Sequence, residues 1–294
     1  MRLIFALSLT LAASTALAQQ DFSKVEIKAT EIVSGIYILE GAGGNIGLSV
    51  GADGAFVIDD QFAPLSDKIM AAIKAIDAAP VEFLLNTHWH GDHTGGNEAF
   101  GAAGAHIVAH DNVRKRLKEG LKRETRDTPP APEGALPVVT FSDQASFYWN
   151  GRDIRVIHLN NAHTDGDAIV HFRDANVIHT GDIYFNTGGY PFIDLASGGS
   201  FDGLIAAQEA ILALCDDKTV IIPGHGALAS KATLAANIAM LKDVRARIAA
   251  LIARGLTEDQ AVKAGPLKDL DETWGKGFIN GEALTRTAYM SLKK

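Results

Sequence analysis

The sequence predicts an α+β fold in which two β-sheets face each other and helices cover their outer sides. Two observations carry this reading. Residues 24–121 and 145–253 each give a run of strand-forming segments with helical segments after it, so one strands-then-helix unit occurs twice. Each sheet and each amphipathic helix must bury one face, and two facing sheets with helices outside satisfy all of them. Hydrophobic residues make up 47% of the 294, which is material for a sizeable core, and a single domain is expected over residues 19–294.

Residues 1–18 stand apart from that pattern. Arg2 gives a positive start, residues 3–11 are an apolar run, and Ala16-Leu17-Ala18 has the small-x-small form of a cleavage site. The run is too short to span a membrane, so it reads as a signal peptide and the protein as periplasmic or secreted.

Strands are expected over 25–27, 36–39, 46–50 and 55–59, separated by Gly-rich turns. Gly41-Ala42-Gly43-Gly44-Asn45 has the look of a phosphate loop, but no helical pattern follows it, so it reads as a hairpin turn. Residues 63–78 place Leu65, Ile69, Ile73 and Ile76 on one helical stripe. A strand over 81–86, a strand over 105–109 and a charged amphipathic helix over 110–121 follow. Residues 122–137 hold four Pro and mixed charge, and read as an exposed loop, with a lid as the sharper reading. Asn150-Gly151 between Phe147-Tyr148-Trp149 and the run 154–159 is a strong hairpin signal. Strands over 168–172 and 176–180, a Gly-rich loop over 186–199, a helix over 201–214, a strand over 219–222 and a long helix over 231–253 complete the second unit.

Charge and cysteine content narrow the partners. The formal net charge is −8, and −9 without Arg2 (26 basic against 35 acidic residues). An acidic chain without basic clusters is not built for nucleic acid or for anionic membranes, and a small-molecule substrate is expected. Cys215 is the one cysteine, which excludes an intramolecular disulfide; its apolar surroundings make it a packing residue.

The chemistry is concentrated in Asn86-Thr87-His88-Trp89-His90-Gly91-Asp92-His93. Four metal-competent side chains fall within six residues, just where the run 81–85 ends. In extended backbone residues two apart share a side, so His88 and His90 address one point. Gly91 lets the chain turn, which aims Asp92 and His93 at a second point. Trp89, between two of these residues, should point the other way, into the fold. Three further candidates, His163, Asp182 and His225, also stand at strand ends among small residues. His106, His110, His171 and His179 read as structural. Seven ligands suit two ions: His88, His90 and His163 on the first, Asp92, His93 and His225 on the second, with Asp182 bridging. Imidazole and carboxylate donors favour two Zn2+, with Fe or Mn as alternatives. Asp92 and Asp182 are the carboxylates expected at the reacting centre, beside a bridging hydroxide that attacks a carbonyl or phosphoryl group. Tyr184 and Tyr190 are candidates for binding the resulting oxyanion.

His88-Trp89-His90-Gly91-Asp92-His93, with His163, Gly181-Asp182 and Gly224-His225, resembles the metallo-β-lactamase superfamily. The resemblance implies a four-layer αβ/βα sandwich with the metals at one edge of the paired sheets. It also implies hydrolysis of esters, thioesters, lactones, lactams or phosphodiesters. One major group of true β-lactamases carries a Cys ligand where this chain has Asp182, which makes the site look like the glyoxalase II and lactonase type. The function expected is therefore an exported dinuclear zinc hydrolase of carbonyl substrates, β-lactams among them. The alternatives are an iron-dependent oxygenase of the sulfur dioxygenase kind or a periplasmic accessory protein with weak turnover. Export is checked by N-terminal sequencing of protein from the periplasm, which should start at Gln19; an intact N-terminus there would refute the cleavage.

Overall fold

The computed structural model describes residues 21–122 and 127–293, so the segment read as a signal peptide lies outside the described residues. Seven strands form the first sheet in chain order: β1 (Lys28–Val33), β2 (Ile36–Glu40), β3 (Ile46–Ser49), β4 (Ala55–Ile58), β5 (Val81–Asn86), β6 (His106–His110) and β7 (Val139–Phe141). β1 to β4 are antiparallel neighbours, and β4 to β7 run parallel. The strand expected over 25–27 starts later, at Lys28, because Gly35 turns the chain and fixes the register of β1 on β2.

The second sheet begins with β8 (Gln144–Trp149), β9 (Arg152–His158), β10 (Ala168–Phe172) and β11 (Val177–His179). A short β12 (Phe185–Asn186) leaves it to pair with β14 (His225–Gly226). β13 (Val220–Ile222) and β15 (Ala229–Ser230) complete it, in the order β15-β13-β11-β10-β9-β8. Asn150 and Gly151 both have positive φ (53° and 69°), the backbone a two-residue hairpin of this twist requires.

Period-two alternation sorts the side chains into layers. Phe56 and Ile58 of β4 meet Val156 of β9 and Val170 of β10 in a core between the sheets. Ala55 and Val57 face the other way, against Ile69 and Ile73 of the helix Ser66–Ile76. On the far side, Ile169, Ile178 and Ile221 pack under the helices Phe201–Leu214, Lys231–Ala253 and Gly281–Leu292. The result is a four-layer sandwich, helix, sheet, sheet, helix, as expected. Three helices after residue 253, Glu258–Ala264, Asp271–Trp274 and Gly281–Leu292, add to the outer layer of the second half.

Parallel pairing of β4 with β5, and of β11 with β13, brings their carboxyl ends to one edge. One buried side chain ties the halves together there. Asn45, in the turn between β2 and β3, donates from Nδ2 to Pro223 O (2.9 Å) and Gly226 O (2.8 Å), and from its backbone N–H to Gly224 O (2.7 Å). The Gly-rich turn is thus a hairpin whose tip clamps the segment carrying His225. Truncating Asn45 to Ala strands carbonyl oxygens in a buried seam and should cost about 1–3 kcal/mol. Urea unfolding of the two proteins measures this, and an unchanged midpoint would show the clamp to be dispensable.

Candidate metal centre

All seven candidates converge on that edge, and they do so as two groups. Ligand-capable atoms of His88, His90, His163 and Asp182 lie within 4.8 Å of one another, as do those of Asp92, His93 and His225. His88 lies in the bend that follows β5 and His90, in extended backbone, ends it, and Gly91–Thr94 is a single helical turn that presents Asp92 and His93. His163 lies between β9 and β10. Asp182 follows β11, and His225 opens β14. Asp182 faces both groups. Its Oδ2 lies 3.7 Å from His88 Nε2 and 3.5 Å from His163 Nε2, while Oδ1 lies 3.1 Å from His93 Nε2 and 3.4 Å from His225 Nε2.

The imidazoles are held from behind, and this fixes their tautomers. His163 Nδ1 donates to Phe192 O at 2.9 Å, so its Nε2 is the bare nitrogen when the ring is neutral. His90 Nε2 donates to Asp194 Oδ2 at 2.9 Å, which leaves Nδ1 facing inward. Thr87 Oγ1 donates to Asp59 Oδ2 at 2.8 Å, so its oxygen accepts from His88 Nδ1 at 3.1 Å and His88 Nε2 is bare. Three lone pairs then converge: His90 Nδ1 sits 3.1 Å from His88 Nε2 and 2.9 Å from His163 Nε2. Nitrogens at hydrogen-bond distance with no proton to share repel, unless a cation lies among them. Asp182 Oδ1 is buried and has no hydrogen-bond partner among the described residues. The donor set and this orphaned oxygen fit a metal.

Electrostatics separates the two groups. Burial, with the neighbouring His93 charge, holds His88 well below the usual imidazole value, and burial lowers His163 to about 4. Both stay neutral at pH 7 and keep their lone pairs available. His93 is equally buried, which disfavours its charge, but Asp182, Asp92 and Asp59 outweigh burial and push it well above the usual value. Burial likewise opposes the charge on His225, and Asp182 with Asp92 overrides it, raising His225 to about 9. Burial would raise Asp182, yet His93, His225 and His88 hold it well below the carboxylate range. The second group therefore carries protons at neutral pH that a cation would displace.

Close packing leaves this site no slack. A Cβ on Gly44 would run into the His93 ring, and one on Gly224 into Asp182 Oδ1. Asp59 itself has φ +63°, a left-handed conformation rare outside glycine, and accepts from Thr87 N (2.7 Å), Thr87 Oγ1 and His93 Nδ1 (2.7 Å).

Other expectations fare unevenly. Trp89 points away from the centre, as alternation predicts, and packs with Val113, Leu117 and Leu136, its ring 5.9 Å from the Arg116 guanidinium. Loop 186–199 lines the cavity beside the centre through Thr187, Tyr190 and Phe192. The lid expected over 122–137 is corrected for its described part: Ala131 and Leu136 buttress Trp89, and no described residue of that stretch lines the cavity; residues 123–126 lie outside the described residues. Neither tyrosine offers a free hydroxyl. Tyr184 is buried in the core with its hydroxyl 3.3 Å from Asn186 Oδ1, and Tyr190, whose ring lines the cavity, donates to Asp271 Oδ1 at 3.0 Å. Cys215 is free and buried against the second sheet, and His179 hydrogen-bonds Asn45 O, both structural as expected.

Asp59 and Asp194 were not singled out from sequence. Asp59 did carry a signal, being an acid directly after a buried strand, much as Asp182 stands in the turn that follows β11. Asp194, in an irregular loop, carried none. Asp59→Asn keeps the shape but replaces one of two acceptor oxygens by an amide donor, so that either Thr87 N or the pair Thr87 Oγ1 and His93 Nδ1 meets an N–H, and should weaken metal affinity about 10–100-fold. Titration with a chelator-buffered metal measures it; equal affinity would remove Asp59 from the support of the site.

Comparison with known proteins follows the same residues. The family model described as the metallo-beta-lactamase superfamily matches residues 40–225, which is more than half of the chain. A hydroxyacylglutathione hydrolase from Polaromonas sp. (strain JS666 / ATCC BAA-500) is 27% identical over 168 residues, which is 55% of each chain, so this protein spans about half the length of that curated relative. Among solved structures, a metallo-beta-lactamase from Pontibacter korlensis superposes with a TM-score of 0.61 at 19% identity, covering 74% of this chain and all of that one. The stereoselective inverting sec-alkylsulfatase Pisa1 from Pseudomonas sp. gives 0.67 at 16% identity, over 90% of this chain and 50% of its own. These structures share the fold.

Proposed function

Because the chain belongs to the metallo-beta-lactamase superfamily, we propose that it is a metal-dependent hydrolase of carbonyl substrates, exported to the periplasm or secreted. The substrate class is a β-lactam, ester, thioester or lactone, and the metal is zinc, two ions to a chain. One observation carries this reading: three bare imidazole nitrogens converge beside a carboxylate whose two oxygens face two separate ligand groups. A relative named for hydrolysing a hydroxyacylglutathione points the same way.

His88, His90 and His163 would hold one ion and Asp92, His93 and His225 the other, with Asp182 shared. Two zinc ions so held would supply a hydroxide at neutral pH and Lewis acidity toward a carbonyl oxygen. The chain's own residues do the rest. Asp194, the Phe192 carbonyl and Asp59 accept from the outer ring nitrogens of His90, His163 and His93, which orients each ring so that its inner nitrogen faces the centre. Asp92 lines the cavity; burial opposes its charge, but His93 and His225 outweigh burial and lower its pKa. It is therefore ionised, and placed to accept a proton from an attacking water.

Metal analysis of the purified protein beside a panel of ester, thioester, lactone and β-lactam substrates tests the proposal. About two zinc per chain and turnover that a chelator abolishes are expected; tightly bound iron with oxygen uptake and no hydrolysis would overturn it. Asp182→Ala should lower the metal content from about two toward about one per chain and reduce turnover by far more than about 100-fold, the upper end for a residue that merely orients a ligand. Two tightly held ions in that variant would sink the bridging role.

A further inference from the structure

We infer that the cavity selects substrates with a bulky apolar group beside the scissile bond, and that Phe278 is the specificity-determining residue. The inference rests on the hydrolase reading and names its substrate class. A cavity of about 780 Å³ opens over His90, Asp92, Asp182 and His225, and its walls are largely aromatic: Phe62, Phe185, Tyr190, Phe192 and Phe278. Two of these rings touch the centre itself. Phe185 stacks on His225 with centroids 5.5 Å apart and planes 4° from parallel, and Phe192 meets His163 edge-on at 5.6 Å. An apolar group held by these rings therefore sits next to the reacting atoms.

Phe278 closes the outer side. It is 91% exposed, the most exposed large hydrophobic residue among those described, yet it lies against Phe192 at 6.3 Å in an edge-to-face pair. Its backbone is braced. Tyr190 N donates to Trp274 O at 2.8 Å, Tyr190 bridges Ile279, and the Tyr190 hydroxyl holds Asp271. Gly189 and Gly277 let the two loops meet backbone to backbone, since a Cβ on Gly189 would stand 3.0 Å from the Gly277 Cα. An aromatic ring fixed in water at the mouth of a site offers apolar area that only a ligand covers. No Lys or Arg lines the cavity among the described residues, so an anionic group remote from the scissile bond would find no counter-charge there. The whole segment 271–281 lies beyond the residues that match the family model, which makes this wall a feature of the chain's own C-terminal region.

The test uses the metal-loaded full-length protein and two matched probes. kcat/KM is measured for ethyl acetate and ethyl phenylacetate, and binding of acetate and phenylacetate, the product carboxylates, is measured by calorimetry. A preference of at least about tenfold for the phenyl compound is expected in both assays, the scale of burying one ring. Phe278→Ala should lower that ratio several-fold through KM, Phe278→Leu should restore part of it, and Tyr148→Ala, which removes an exposed aromatic on β8, should leave it unchanged. Selective binding that Phe278→Ala abolishes, without turnover of either ester or of any thioester, lactone or β-lactam in the panel, would uphold the wall and reject the hydrolase reading. Equal turnover of the two esters with equal binding of the two carboxylates would overturn the wall and leave that reading standing, and the absence of turnover across the whole panel together with equal binding would overturn both.

Discussion

Bare lone pairs that face one another at about 3 Å set the terms for the rest of this structure. His88, His90 and His163 bring three such nitrogens together, and each is aimed there by a hydrogen bond on the opposite side of its ring. Those outer bonds come from three different parts of the chain: Thr87 with Asp59 behind it, Asp194, and the Phe192 carbonyl. The sandwich can be read as the device that carries those supports to one place. Parallel pairing of β4 with β5 sets Asp59 beside Thr87, and the loop after β12 reaches back to hold two of the three rings.

Folding an arrangement of this kind costs stability. Asp59 and Gln61 are both held at left-handed φ, and Asp60 between them is buried, which pushes its carboxyl well above the usual range. Each such residue costs on the order of 1–3 kcal/mol. The strain is offset by neighbours that cannot relax independently. Gln61 Nε2 donates to Gly44 O, the Asp60 carboxylate accepts from Gly96 N, and Asn45 ties the same turn to the segment before His225. Strain and clamp therefore sit within one small region, where the fold over-determines the backbone, while the layers behind them are ordinary packed cores.

That division explains what the sequence could disclose. The layers are governed by period-two and helical patterns that any stretch displays locally, so the helices Phe201–Leu214 and Lys231–Ala253 were legible to the residue, and the four layers followed. The seven converging side chains were legible because metal-competent residues at strand ends are rare and chemically conspicuous. What stayed hidden depends on contacts remote in sequence: Asp194 to His90 spans 104 residues, and Tyr190 to Asp271 spans 81. No local pattern encodes which acid in an irregular loop will meet which ring. The position of β1 was misread for a simpler reason, since Gly35 rather than the apolar run decides where that strand begins.

The same contrast separates the centre from the cavity above it. Charge chemistry governs the floor: carboxylates push His93 well above the usual imidazole value and His225 to about 9, so a proton and a cation would compete for the same lone pairs. The walls obey a different force, in which aromatic rings offer apolar area without directional demand. A site of this construction can keep one chemistry fixed while its walls change, because replacing a ring at 278 disturbs no hydrogen bond to the histidines, whereas replacing Asp59 disturbs three hydrogen bonds, one to His93 and two to Thr87, which itself supports His88. The two parts also differ in their place in the chain: Gly277, Phe278 and Ile279 of the cavity wall lie beyond the residues that match the family model, whereas the seven candidate ligands and Asp59 all lie within them.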